Sequence, residues 1–210
     1  MMNVAVFSQR TVEYLAADFD TFKQLIDPKR IAEQRGRLGF PLLAAAMAAF
    51  DVYAWLLSDG KKNNQDRFEA LASNRKFFDE HRYISASFFY GAIRCCIVHQ
   101  LYPAETDILV RVDPRPFFSA KVAGVERLIV NAYAVFADVL GTAIKVNAYI
   151  CNEATPQQKR IWSELLEQRQ VDDERTRGSF DLSNRIKFPR LSEDELPLSE
   201  YTNLATSSKQ

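Results

Sequence analysis

Apolar residues recur at helical spacing along most of the chain. Between Arg10 and Ile26, the positions Val12, Leu15, Phe19, Phe22 and Ile26 fall on one face, which predicts an amphipathic helix ending before Asp27-Pro28. Asp27 can cap a second helix that Pro28 opens. The glycines of Gly36 and Gly39-Phe40-Pro41 interrupt that helix before an alanine-rich one running to about Ser58. The polar run SDGKKNNQD reverses the chain. Asp66 to Asp79 reads as a shorter helix with Phe68, Leu71, Phe77 and Phe78 inward. Arg82 to Tyr102 reads as a helix apolar on most of its surface, stopped by Pro103 and central to the fold.

The period then changes. TDILVRVDPRPFF alternates apolar and polar residues about Asp113-Pro114, which predicts a short extended insert near residues 106–118, kept to an edge by Pro114 and Pro116. Helical spacing resumes over Ala120 to Ile150, where Val125, Leu128, Ile129, Ala132, Val135, Phe136, Val139, Leu140 and Ile144 form a broad stripe. Thr155 caps a further helix with Pro156 at its first position, running to about Gln170. From Val171 the composition turns to Asp, Glu, Ser, Arg and Pro, and the last 20 or so residues read as poorly ordered. The expected fold is therefore all-α, a bundle of about five or six helices with a small extended insert. Residues 1–170 form the helical domain and 171–210 a polar tail.

Composition narrows the function classes. Lys plus Arg and Asp plus Glu are both 27, a zero net charge that argues against holding long nucleic acid by charge alone. A local site acting on a short piece of RNA is compatible with it. The first residues lack the layout of a signal peptide, and Cys95, Cys96 and Cys151 are odd in number with two adjacent. A reducing cytoplasm is the compartment expected. Phe40 to Leu57 is long enough to raise a membrane span, but Asp51 inside it and its many alanines favour a buried bundle helix.

The chemistry concentrates in GAIRCCIVHQLYP, Gly91 to Pro103. His99, one of two histidines, lies near the helix end that Pro103 sets, where the helix dipole favours an imidazolium. Arg94 stands five residues before it. On an ideal α-helix the two point about 140° apart, so a shared cleft is more easily built where two copies of the helix meet across a two-fold axis. Asp51 is a carboxylate in an apolar helix and needs a partner; Arg94 or His99 could supply one, and facing solvent or capping a local network would equally serve it. Cys95 and Cys96 read as small buried hydrophobes and no metal is expected, since a tetrahedral site would have to draw on the sequence-distant Cys151 and His81. His81-Arg82 reads as an exposed polar pair. Lys61-Lys62 and Pro28 to Arg37 could guide RNA, although such charge runs are usually solvated.

The stretch FFYGAIRCCIVHQLYP resembles the motif helix of HEPN domains, whose signature is an Arg, four to six residues, and a His; Arg94 and His99 match it with four between. The alanine-rich helix before it and the long helix after it agree, over roughly residues 10 to 150. The resemblance implies a homodimer whose two motif helices line one cleft, and metal-independent endoribonuclease activity without a cofactor. His99 would act as general base or acid and Arg94 would stabilise charge on phosphorus, leaving a 2′,3′-cyclic phosphate and a 5′-hydroxyl. A toxin or defence effector of this kind would be held in check by a protein partner. The chain departs from the pattern at two places: Cys95 follows the Arg where many active members carry a polar residue, and Tyr102 lies three after the His where one toxin branch has a Tyr two after. Cys95, Asp51 and Tyr102 are the supporting residues of the expected site. Inactive members serve as dimerisation or ligand-binding modules, the rival expectation.

Overall fold

The computed structural model describes residues 3–25, 39–60, 63–100, 106–122 and 124–179; within these, Cys96, His99 and several neighbours are described by their backbone alone. The expected second helix from Pro28, Lys61-Lys62, Tyr102 and the tail beyond residue 179 lie outside the described residues. By its contacts the chain divides into two compact units, Met1–Arg169 and Gln170–Gln210.

The first unit is mostly helical. Helix α1 spans Val4–Leu25, α2 Gly39–Leu57 and α3 Asn64–Ala72. A 3-10 turn, Glu80–Tyr83, leads to a short α-turn α4, Ala86–Phe88, which continues as a π-helix over Phe89–Gln100. Strands β1 (Thr106–Leu109), β2 (Phe117–Val122) and β3 (Val125–Asn131) follow, then α5 (Ala132–Asn152) and α6 (Pro156–Ser179).

Local chemistry sets several of these boundaries. Asn63 caps α3, its side chain accepting from the Asp66 N–H at 2.8 Å and donating to the Asp66 carboxylate at 2.8 Å. Thr155 and Gln158 form a reciprocal capping box at α6: the Thr155 hydroxyl accepts from the Gln158 N–H at 3.2 Å, and the Gln158 side chain accepts from the Thr155 N–H at 2.9 Å. Pro156 takes the first helical position, as its missing N–H favours. The helix runs on past the expected end near Gln170.

The core is built around α2. Leu42, Leu43, Ala46, Met47, Phe50, Tyr53 and Leu56 are all but sealed from solvent, which covers most sides of the helix. It packs against α3, α5 and the π-helix, while α1 packs on α5. Aromatic rings fill the space below the π-helix: Phe50, Phe68, Phe78 and Tyr83 each contact Phe89, with ring centroids between 4.5 and 5.4 Å. Helices α2 and α5 are long and apolar enough to cross a membrane by length and composition; here half of that apolar window is buried in α2 and 44% in α5.

Two expectations about this region need correction. The all-α bundle is instead a mostly helical fold carrying a three-stranded sheet, order β1-β3-β2, with β1 parallel and β2 antiparallel to β3. The extended insert thus reaches Asn131, and the helix expected from Ala120 begins only at Ala132. The stripe through Val125, Leu128 and Ile129 fits helical spacing by coincidence: those residues sit in the central strand, where burial is confined to its C-terminal end. Gly124, at φ 86°, makes the two-residue turn that pairs Val122 with Val125, a conformation its missing Cβ permits. Asn131 then fastens the β1–β2 loop. Fully buried, its side chain accepts from the Arg111 N–H at 3.1 Å and donates to the carbonyls of Asp113 and Arg115 at 3.0 and 3.1 Å.

The helix expected over Asp66 to Asp79 is also shorter. It ends at Ala72, and Phe77 and Phe78 reach the core from the turn that follows.

Candidate functional site

The expected motif helix, Arg82 to Tyr102, begins later than its apolar pattern suggests. Tyr83, Ile84 and Ser85 form a tight turn closed by a 2.6 Å bond from the Ser85 N–H to the Tyr83 carbonyl. Ile84 at its centre has φ 64° and ψ −59°, a strained γ-turn conformation for a β-branched residue, and its side chain is 69% exposed. Ser85 then caps the new helix, accepting from the Phe88 N–H at 3.1 Å. The turn thus anchors Tyr83 in the core on one side and starts the motif helix on the other.

From Phe89 the backbone winds as a π-helix, with bonds running to the residue five before. This changes the relation between Arg94 and His99. In α-geometry they diverge; in i→i+5 winding, residues five apart stand one turn above each other on the same side. Tyr90 and Cys95 share that five-residue spacing, and after burial the Cys95 thiol contributes to raising the Tyr90 hydroxyl pKa. Arg94 and His99 share the same spacing along the same backbone, and for His99 the backbone alone is described.

Arg94 is 6% exposed. Its Nε and Nη2 both donate to Oδ2 of Asp51, at 3.1 and 2.9 Å, and its guanidinium lies 5.4 Å from the centroid of the Tyr90 ring. Burial alone would lower the Arg94 pKa. The hydrogen bond and negative charge of Asp51 more than offset it, and the guanidinium is held above its ordinary value. Asp51 Oδ1 is buried without a hydrogen-bond partner. The Tyr90 hydroxyl is pushed up, first by burial and then by the Cys95 thiol.

Of the five residues singled out in the sequence, the structure brings three together: Asp51 from α2 with Arg94 and Cys95 from the π-helix. His99 shares their helix at backbone level, and Tyr102 lies outside the described residues. Tyr90 belongs to the cluster and was missed; its place four before Arg94, the stacking distance on a helix, is the signal that could have found it. Among the described residues no group of three His, Cys, Asp or Glu could hold a metal ion.

A second polar centre stands beside the strained turn. The Tyr83 hydroxyl donates to Asp138 Oδ2 at 2.7 Å, and Arg82 donates to the other carboxylate oxygen and to the Pro114 carbonyl. Arg82 is therefore not the exposed partner of His81 that the sequence suggested; it ties the 3-10 turn to α5 and to the β1–β2 loop. Burial pushes both titrating groups up, Asp138 above its ordinary carboxylate value and Tyr83 well above the usual phenol value.

No family model, no curated protein sequence and no solved structure matches this chain.

Proposed function

We propose that the chain is a metal-independent endoribonuclease of HEPN type, built as a HEPN-like helical domain over residues 1–170. The observation that supports this reading is the π-helical backbone, whose i→i+5 bonds span the same interval as Arg94 to His99. His99 would take the proton from the 2′-hydroxyl or return one to the 5′-oxygen. Arg94, fixed in direction by Asp51, would stand beside the phosphate as the orienting cation. The second copy of the motif helix would supply the other half of the cleft, and a protein partner would restrain the enzyme.

One observation favours a second reading, a HEPN-like module that dimerises or binds a ligand without cleaving it. Arg94 is buried, and two of its donors are committed to Asp51, so its charge is largely neutralised within one chain. Incubation of labelled RNA in EDTA with the wild type and His99→Ala separates the two. Cleavage by the wild type only, leaving a 2′,3′-cyclic phosphate, supports the enzyme. No cleavage by either, or equal cleavage by both, sinks it. Sedimentation of the same samples reads the dimer separately.

A further inference from the structure

We propose that the cleft at the α2–α3 turn binds a small anion that also carries an N–H donor, an amino carboxylate or an amino phosphate. The cleft has two adjoining lobes of about 250 and 280 Å³, which share Leu57, Asp59 and Asn74. None of its lining residues belongs to the Arg94 cluster, so the proposal stands independently of the ribonuclease reading.

The first lobe sets Arg67, Asp59, Ser58 and Asn74 over an apolar floor that includes Ala54 and Leu71. Arg67 lines this lobe, its Nε is buried with no hydrogen-bond partner, and among the described residues no carboxylate forms an ion pair with its guanidinium. Arg is always charged, so an anion in the lobe would compensate a guanidinium that no carboxylate pairs. The second lobe holds a cation too, Lys76, but Glu153 occupies it at 2.5 Å and its ammonium lies over the Tyr149 ring at 4.4 Å. The anion is therefore assigned to Arg67.

Asp59 faces both lobes and supplies the complementary feature. One of its oxygens accepts from Trp162 Nε1 at 2.8 Å, which fixes the carboxylate, and the turn that carries it is closed by bonds to the carbonyls of Leu56 and Trp55. Asp59 and Arg67 line one lobe without bonding each other. A carboxylate beside the anion seat disfavours a simple anion, and favours one that brings an N–H donor to Asp59. The Asp59 carboxylate is held in place before any ligand arrives, and such preorganisation is how a small site gains affinity.

The test is a ¹H–¹⁵N titration of the full chain, read at the Arg67 Nε–H and the Trp162 indole N–H, with probes up to about 10 mM. The probes are O-phosphoethanolamine and β-alanine, with inorganic phosphate and ethanolamine as single-charge controls. Saturable shifts with phosphoethanolamine or β-alanine, well below the concentration at which either control acts, are expected; which of the two acts identifies the anion. Arg67→Gln, followed at the Trp162 indole, should weaken binding at least about tenfold. Asp59→Asn keeps an acceptor for Trp162 and tolerates φ 52°, and should erase the preference over inorganic phosphate. No saturable shift with either probe would show that water alone serves Arg67 and would overturn the proposal. Equal affinity in Arg67→Gln would overturn it as well.

Discussion

Removing the carboxylate of Asp51 should destabilise the fold through the charge it leaves behind. The Arg94 side chain is 8% exposed and that of Asp51 19%. Breaking a buried pair by deleting one partner costs about 3–5 kcal/mol, because the survivor keeps its desolvation penalty without compensation. The fifth of Asp51 that meets solvent screens the pair and lowers the expected cost of Asp51→Ala below that range, to about 2–3 kcal/mol. At a urea slope of about 2 kcal/mol/M, the midpoint should fall by more than about 1 M. Replacing both partners by apolar residues of similar length, Asp51→Leu with Arg94→Met, should recover most of that loss, because no charge is then stranded. Urea denaturation of wild type, Asp51→Leu, Arg94→Met and the double variant closes the cycle. The reasoning fails if Asp51→Ala stays within about 0.5 kcal/mol of wild type, or if the double variant is less stable than either single one.

Further predictions rest on particular contacts. Tyr83 keeps its proton in the folded chain at pH values where the unfolded chain, with an ordinary phenol near 10, has released it. The folded state therefore binds more protons, and stability should fall by about 1.4 kcal/mol per pH unit above pH 10 from this residue alone. Tyr83→Phe should flatten that alkaline slope in denaturation measured from pH 9 to 11, and an unchanged slope would assign it to another group. Gly39 sits where a Cβ would lie 2.3 Å from Ile108 Cγ2, a methyl close to its own backbone, so Gly39→Ala should cost about 1–3 kcal/mol. Adding Ile108→Ala should remove the clash, and thermal melting of the single and double variants would show whether that close approach sets the cost.

The helical part of this fold is legible in the sequence because its signals are local. The Thr155-Pro156-Gln157-Gln158 start needs only its own residues, and the apolar surround of α2 marks it as central before any partner is known. The sheet is not legible in the same way. Val125, Leu128 and Ile129 satisfy a helical period, and only pairing with β1 and β2 on either side makes them a strand. The candidate site divides along the same line. An aspartate in an apolar helix announces that it needs a partner, and 43 residues separate it from the arginine it finds. What no spacing argument could supply is the winding of Phe89–Gln100, since the angle between Arg94 and His99 depends on which carbonyl each N–H chooses.

That choice couples two things usually treated as separate, the number of residues between two side chains and the direction in which they face. With i→i+5 bonds, four intervening residues bring an arginine and a histidine back to one side; with i→i+4 bonds, three intervening residues do so. A helix that lost one residue between Arg94 and His99 while rewinding to α-geometry would therefore keep the two facing together, and one that rewound without the loss would turn them apart. The interval between them is a record of helix winding as much as of chemistry.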